Sequence, residues 1–193
     1  MGRIVISTNV TLDGISQDPT GEEGFEFGGW FTKIADEDRA AWAKTEFEEA
    51  LSTAAFLIGG RSYEWFAERW VGRPGEWAER LNSLPKYVVR STAGRSDWGP
   101  TTVITGDIAS EVLKLKQSID GDIVVYASYQ LVHTLVEHDL VDEVRLFVFP
   151  HVLGSGGRVF SDLTHPKAVR LTDVGAIGQG LVKLTYQTVR DTE

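Results

Sequence analysis

Residues 122–149 read DIVVYASYQLVHTLVEHDLVDEVRLFVF. An unbroken apolar run, Ile123–Tyr126, meets Ala127 and Ser128. Leu131, Val132, Leu135 and Val136 then recur at the spacing of one helix face, and a second apolar run, Val144–Phe149, closes the stretch. Apolar runs without alternation suit central strands covered on both faces, and a helical period between two of them makes a strand–helix–strand unit. Ser128 stands where a helix N-cap belongs. Upstream the pattern repeats: Thr102–Thr105 is strand-like, Asp107 offers an N-cap, and Ile108, Val112, Leu115 and Ile119 form a buried stripe. From Thr102 to Phe149 the order is β-α-β-α-β with short connections, which calls for parallel strands with helices on the sheet faces.

Outward from this stretch, Ile4–Thr8, Ala55–Ile58 and Tyr87–Arg90 read as further strands. A helix opens near Asp36, with Phe47, Ala50, Leu51 and Ala54 at i, i+3, i+4 and i+7. The rhythm changes at the end of the chain. Val169–Val174 and Leu181–Val189 follow one another with no clear helix between them, as antiparallel strands added to a sheet edge do. The polar, glycine-rich segment Gln17–Gly29 reads as one long loop, of a length that often marks a functional lid. With no repeat, linker or low-complexity tract, residues 1–193 are expected to form one α/β domain with a large core.

Composition narrows the function classes. Hydrophobic residues make up 42%, with 6 Trp, 9 Phe and 5 Tyr, which is a globular and not a disordered composition. A net charge of −9 leaves no basic excess to displace counterions from nucleic acid or to hold an anionic membrane. Cysteine is absent, which removes disulfides, thiolate metal sites and cysteine nucleophiles. The first residues run into Arg3–Ser7 without an h-region, and no stretch approaches the ~20 apolar residues of a membrane span, so a cytoplasmic protein is expected. His133 and His138 are five apart and do not share a helix face; with His151 and His165 distant in sequence, no metal site is expected. Signatures of zincins, α/β-hydrolases and P-loops are missing, and no G-x-G-x-x-G follows the first strand.

What remains is a pattern of strand ends. Gly59-Gly60-Arg61-Ser62 follows one apolar strand, Arg90-Ser91-Thr92 follows another, and Ala127-Ser128-Tyr129 follows a third as a helix begins. In open α/β sheets ligands sit outside the carboxyl ends of strands, where helix N-termini present N–H groups to anions. Hydroxyls and arginines at three such ends suit a phosphate-bearing ligand; each hydroxyl taken singly also suits a helix cap or turn.

In order along the chain, STNVTLDGIS (7–16), LIGGRSYEWF (57–66), LPKYVVRST (84–92) and residues 122–160 resemble the dihydrofolate reductase superfamily. The nearest branch holds the C-terminal reductase domain of the bacterial riboflavin-biosynthesis protein (RibD) and its stand-alone relatives. The most specific segment is LVDEVRLFVFPHVLGSGGRVF (140–160). The resemblance implies a dihydrofolate reductase-like α/β fold. This is a central, mostly parallel, eight-stranded mixed sheet flanked by helices, with antiparallel C-terminal strands. It implies NADPH as cofactor, a small pterin- or pyrimidine-like heterocycle or a carbonyl compound as substrate, and a homodimer. Residue by residue, Gly59, Gly60, Arg61 and Ser62 match the element beneath the cofactor phosphates, and Arg90, Ser91 and Thr92 the segment beside the adenosine 2′-phosphate. Ala127, Ser128, Tyr129 and Gln130 match the turn and helix start under the pyrophosphate and nicotinamide. Thr8, Ile15 and Ser16 belong to the matching first strand and closing loop, while Trp30 and Tyr126 are expected to face the substrate.

The chain departs from the family at two places. Gly60 stands where an arginine is usual, and Ala127 and Tyr129 stand where glycines allow close approach to the ligand. No acid among Glu46, Glu48 and Glu49 aligns with the reductases' proton donor. Asp13, at the mouth of the loop, is the candidate for proton relay or substrate contact. No deaminase signature is present. The expected function is an NADPH-dependent reductase, the alternative a non-catalytic nucleotide- or pterin-binding protein of the same fold.

Overall fold

All eight strand-like runs form strands of a single sheet in the computed structural model, which describes residues 1–92 and 94–189. The strands are β1 (Arg3–Thr11), β2 (Thr53–Gly59), β3 (Lys86–Val89), β4 (Thr101–Ile104), β5 (Asp122–Tyr126), β6 (Glu143–Phe149), β7 (Val169–Ile177) and β8 (Leu181–Thr188). Their order across the sheet is β4-β3-β2-β5-β1-β6-β8-β7. The helices are α1 (Asp36–Ser52), α2 (Gly60–Trp70), α3 (Glu76–Ser83), α4 (Ile108–Ser118) and α5 (Tyr129–Glu137). Strands β2, β3 and β4 pair in parallel, as do β2 and β5, whereas β8 runs antiparallel to both β6 and β7. The mixed eight-stranded sheet with antiparallel C-terminal strands is therefore as the sequence implies.

The chain divides into two compact units, Met1–Ile6 with Phe47–Asp142, and Ser7–Glu46 with Glu143–Glu193. In the first, Phe56, Ile58, Val88 and Val124 from the parallel strands pack with Tyr63 and Ala67 of α2, Leu81 of α3, and Trp98. Trp98 fixes the connection between β3 and β4. Its backbone N–H donates to the Tyr63 hydroxyl at 2.9 Å and its indole N–H to Asn82 Oδ1 at 2.8 Å. Helix α1 ends where its last carbonyls are taken up: Arg80 donates to the carbonyls of Ala50 and Leu51 at 2.9 and 3.3 Å, and to Thr53 O at the start of β2 at 2.6 Å.

Helix α3 is one element without a sequence signal strong enough to find it. Its eight residues follow Gly72-Arg73-Pro74-Gly75, and two turns give too few repeats to establish a period. It matters because its last carbonyls receive Lys86, a fully buried lysine on β3. The Lys86 ammonium donates to Leu81 O and to Asn82 O and lies 4.5 Å from the centroid of the Trp98 ring. Burial pushes its pKa down to about 7.

In the second unit, Phe147 and Phe149 of β6, with Ile177 and Leu181 of the β7–β8 hairpin, bury Trp30. The hairpin turn is held by Asp38 in the first turn of α1, which accepts the N–H groups of Gln179 and Gly180 at 2.6 and 3.2 Å. The segment 17–29 is folded around one side chain. Asp18, fully buried, accepts the N–H groups of Glu23 and Phe25 at 3.1 Å each. A side chain at Gly28 would bring its Cβ to 2.5 Å from that carboxylate, so the loop closes only around a glycine.

Candidate functional site

A cavity of about 610 Å3 opens at the carboxyl ends of β2, β3 and β5. The chain leaves each of these strands through residues singled out by the sequence. Gly59, Gly60, Arg61 and Ser62 line the cavity after β2, Arg90, Ser91 and Thr92 after β3, and Ser128, Tyr129 and Gln130 after β5. Ile108, the first residue of α4, lines it too, so three helices begin at its wall. At α2 and α5 the N-cap residues, Gly59 and Ser128, make no side-chain cap hydrogen bond, which leaves the first-turn N–H groups for another acceptor.

Ser128 has a different task from the capping its sequence position suggests. Its hydroxyl accepts the Gly59 N–H at 3.0 Å and donates to the Tyr126 carbonyl at 3.1 Å, which sews the end of β2 to the end of β5. The backbone there is in a conformation that favours glycine: φ is 50° at Ala127 and 62° at Ser128. Two successive residues with side chains in the left-handed region cost about 1–2 kcal/mol each. The sequence departure at Ala127 thus keeps the turn geometry and stores strain in it. Tyr129 follows as the first residue of α5 and lines the cavity.

Arg90 lies across Gly60. A Cβ on Gly60 would stand 3.1 Å from Arg90 Cβ, so the glycine in the usual arginine position makes room for the arginine of the next strand. The Arg90 side chain is only 9% exposed. Its guanidinium donates to the carbonyls of Arg95 and Gly94 at 2.9 and 3.1 Å and to Glu64 Oε1 at 3.4 Å. Its Nε is buried and has no partner among the described residues. Arg61 is exposed on the same wall. Glu64 was not among the sequence candidates, although it stands four residues after Gly60 and so on the same helix face.

Five of the other expected residues are not among those that line this cavity. Thr8, Ile15 and Ser16 are buried in the second unit, where Ile15 bridges Arg158 and the Ser16 N–H donates to Gly157 O at 2.9 Å. Trp30 is spent on the core, its ring edge-on to Phe149 and its indole N–H donating to Gln17 O at 3.0 Å. Tyr126, half-buried in the first unit, packs on Phe56 and donates to Glu49 Oε1 at 2.9 Å.

Asp13 accepts the Thr11 hydroxyl at 2.6 Å and the backbone N–H groups of Gly154 and Leu153 at 2.7 and 3.2 Å. The Thr11 hydroxyl, with these backbone donors, holds its pKa down to about 2, so at neutral pH it carries no proton to give. Among the described residues no group of three or more His, Asp or Glu is placed to hold a metal ion, and no helix is long and apolar enough to cross a membrane.

The model of the RibD C-terminal domain family matches residues 3–183. The chain is 29% identical over 189 residues to the uncharacterised protein YyaP of Bacillus subtilis (strain 168), covering 95% of this chain and 94% of that one. A protein of Shewanella sp. PV-4 named for riboflavin biosynthesis superposes with a TM-score of 0.70 at 16% identity, over 97% of this chain and 99% of its own. Dihydrofolate reductase from Enterococcus faecalis, complexed with NADP(H), superposes with a TM-score of 0.53 at 14% identity, over 96% of each chain. Family and fold together support a reductase-like role.

Proposed function

We propose that this chain, which belongs to the RibD C-terminal domain family, is a single-domain NADPH-dependent reductase acting on a small heterocyclic or carbonyl substrate of pterin or pyrimidine type. One observation carries the reading: the cavity at the ends of β2, β3 and β5 joins uncapped helix starts to two arginines, a seat for a phosphate-bearing ligand. The residues fit such a group. Arg61 and Arg90 supply positive charge on the same wall as the first residues of α2 and α5, which is what a phosphate group needs.

A nicotinamide bound there would supply the hydride. The chain's own part is to bind and orient. First-turn N–H groups of α2 and α5, with Arg61, hold phosphate oxygens, and Ser128 fixes the spacing of the two strand ends that carry them. Substrate contacts by Trp30 and Tyr126 and closure by the 8–16 segment remain part of this reading. So do a cytoplasmic location and a homodimer; exposed Val169, Leu171 and Val174 on the edge strand β7 support the dimer.

The second reading, a nucleotide- or pterin-binding protein without chemistry, draws on Asp13, whose carboxylate is already committed to Thr11, Leu153 and Gly154. Titration with NADPH and NADH, followed by tryptophan fluorescence, tests both. Saturable binding with NADPH oxidation on a panel of pterins, pyrimidines and carbonyl compounds is expected. Binding without turnover of any of them favours the second reading, and no saturable binding at millimolar cofactor overturns the first. Sedimentation equilibrium decides the homodimer.

A further inference from the structure

The Glu64 carboxylate, 39% exposed on the cavity wall, takes two donors on one oxygen: the Arg95 backbone N–H at 3.0 Å and Arg90 Nη1 at 3.4 Å. Arg90 donates in turn to the carbonyls of Gly94 and Arg95. The three parts form a closed clamp of α2, the end of β3 and the 94–95 segment. A Cβ on Gly94 would stand 2.4 Å from Arg90 Nη1 and 2.7 Å from Glu64 Oε1, so the clamp closes only around a glycine. The Arg90–Glu64 contact is long, at 3.4 Å, and its Glu64 side is partly exposed, which makes it a weak pair that an incoming anion can displace. The cavity thus presents two cations, Arg61 and Arg90, and one carboxylate beside the more buried of them.

We propose that Glu64 is a specificity-determining residue of this cavity. It positions Arg90 and offsets its charge, so that a phosphate arriving at Arg90 meets a carboxylate as well as a guanidinium. An uncharged, hydroxyl-bearing ligand group at the same place finds an acceptor instead. The inference rests on the cavity taking a phosphate-bearing dinucleotide. Its consequence is that the wild-type protein separates NADPH from NADH less sharply than its arginines alone dictate. Glu64 acts against the extra phosphate.

Glu64→Gln tests this, because the amide oxygen still accepts from Arg95 and Arg90 while the charge is gone. Dissociation constants for NADPH, NADH and inorganic phosphate are measured by tryptophan fluorescence at fixed low ionic strength, with urea unfolding to confirm the fold. Removing a carboxylate a few ångströms from a phosphate dianion at a protein surface is expected to tighten NADPH about tenfold and NADH less than about threefold. Inorganic phosphate is expected to compete more strongly, and the shift to shrink with added salt. Glu64→Asp, which keeps the charge, leaves the NADPH-to-NADH ratio at the wild-type value. An unchanged ratio in Glu64→Gln, or an equal weakening of every ligand, overturns the proposal. If the wild-type protein binds neither dinucleotide, the reductase reading fails. The phosphate titration then decides Glu64 by itself: no tightening in Glu64→Gln overturns it.

Discussion

Asp13, Asp18 and Asp38 in one unit and Arg61 and Arg90 in the other are charged side chains in loops or at the ends of regular elements, and they differ in how many of their hydrogen bonds are already taken. Each aspartate is met by backbone N–H groups within its own unit: Leu153 and Gly154 on Asp13, Glu23 and Phe25 on Asp18, Gln179 and Gly180 on Asp38. The arginines are not used up in this way. Arg90 spends its terminal nitrogens on a loop and keeps Nε unpartnered, and Arg61 lies exposed on the cavity wall. Charges whose hydrogen bonds are complete hold loops in place. A charge on a cavity wall whose hydrogen bonds are not complete is the candidate for holding a ligand.

The sharpest way to break this comparison is Asp18→Ala. If the carboxylate is architectural, its loss strands buried N–H groups of the 18–29 loop and costs about 3 kcal/mol in urea unfolding. A loss under about 1 kcal/mol shows the loop to be held by something else. Arg90→Met comes next: cofactor affinity should fall about 30-fold, equivalent to ~2 kcal/mol. Unchanged affinity would remove Arg90 from the ligand's seat.

Asp13→Asn should cost about 1–2 kcal/mol at neutral pH, with a pH signature. The folded protein holds the Asp13 pKa at about 2, below the 3.8 of the unfolded chain. The stabilisation is therefore fully present above pH ~4 and lost as the pH falls towards ~2. The variant should show a shallower decline of stability across that window than the wild type. The smallest effect expected is from Ala127→Gly, which relieves a left-handed residue and should stabilise by about 1 kcal/mol or less. Destabilisation would show that the Ala127 methyl makes contacts worth more than the strain.

How much of this was legible from sequence follows the same division. Strands such as Ile123–Tyr126 and Val144–Phe149 announce themselves because burial on both faces demands continuous apolar runs, and the cavity could be found from the polar residues that follow them. Helix α3 escaped because two turns carry too little periodicity, and with it went the partners of Lys86. Glu64 escaped for another reason. A glutamate on a helix reads as a solvated face, and only the register of β2 with β3, Gly59 opposite Val89, brings it to Arg90 and the 94–95 segment. Asp13 reads as a candidate acid because its type and place suit one; beside the nearby Thr11 hydroxyl, its backbone donors Leu153 and Gly154 lie 140 and 141 positions away, which no local pattern reveals.

The lysine over Trp98 makes the protein its own optical indicator. Lys86 sits 4.5 Å from the indole centroid of a fully buried chromophore, and burial pushes its pKa down to about 7, into the ordinary working range of buffers. The emission of Trp98 should shift between about pH 6 and 8 in the wild type and not in Lys86→Met. Any fluorescence titration of the cavity therefore has to be buffered at one pH, or the instrument will record a proton and report a ligand.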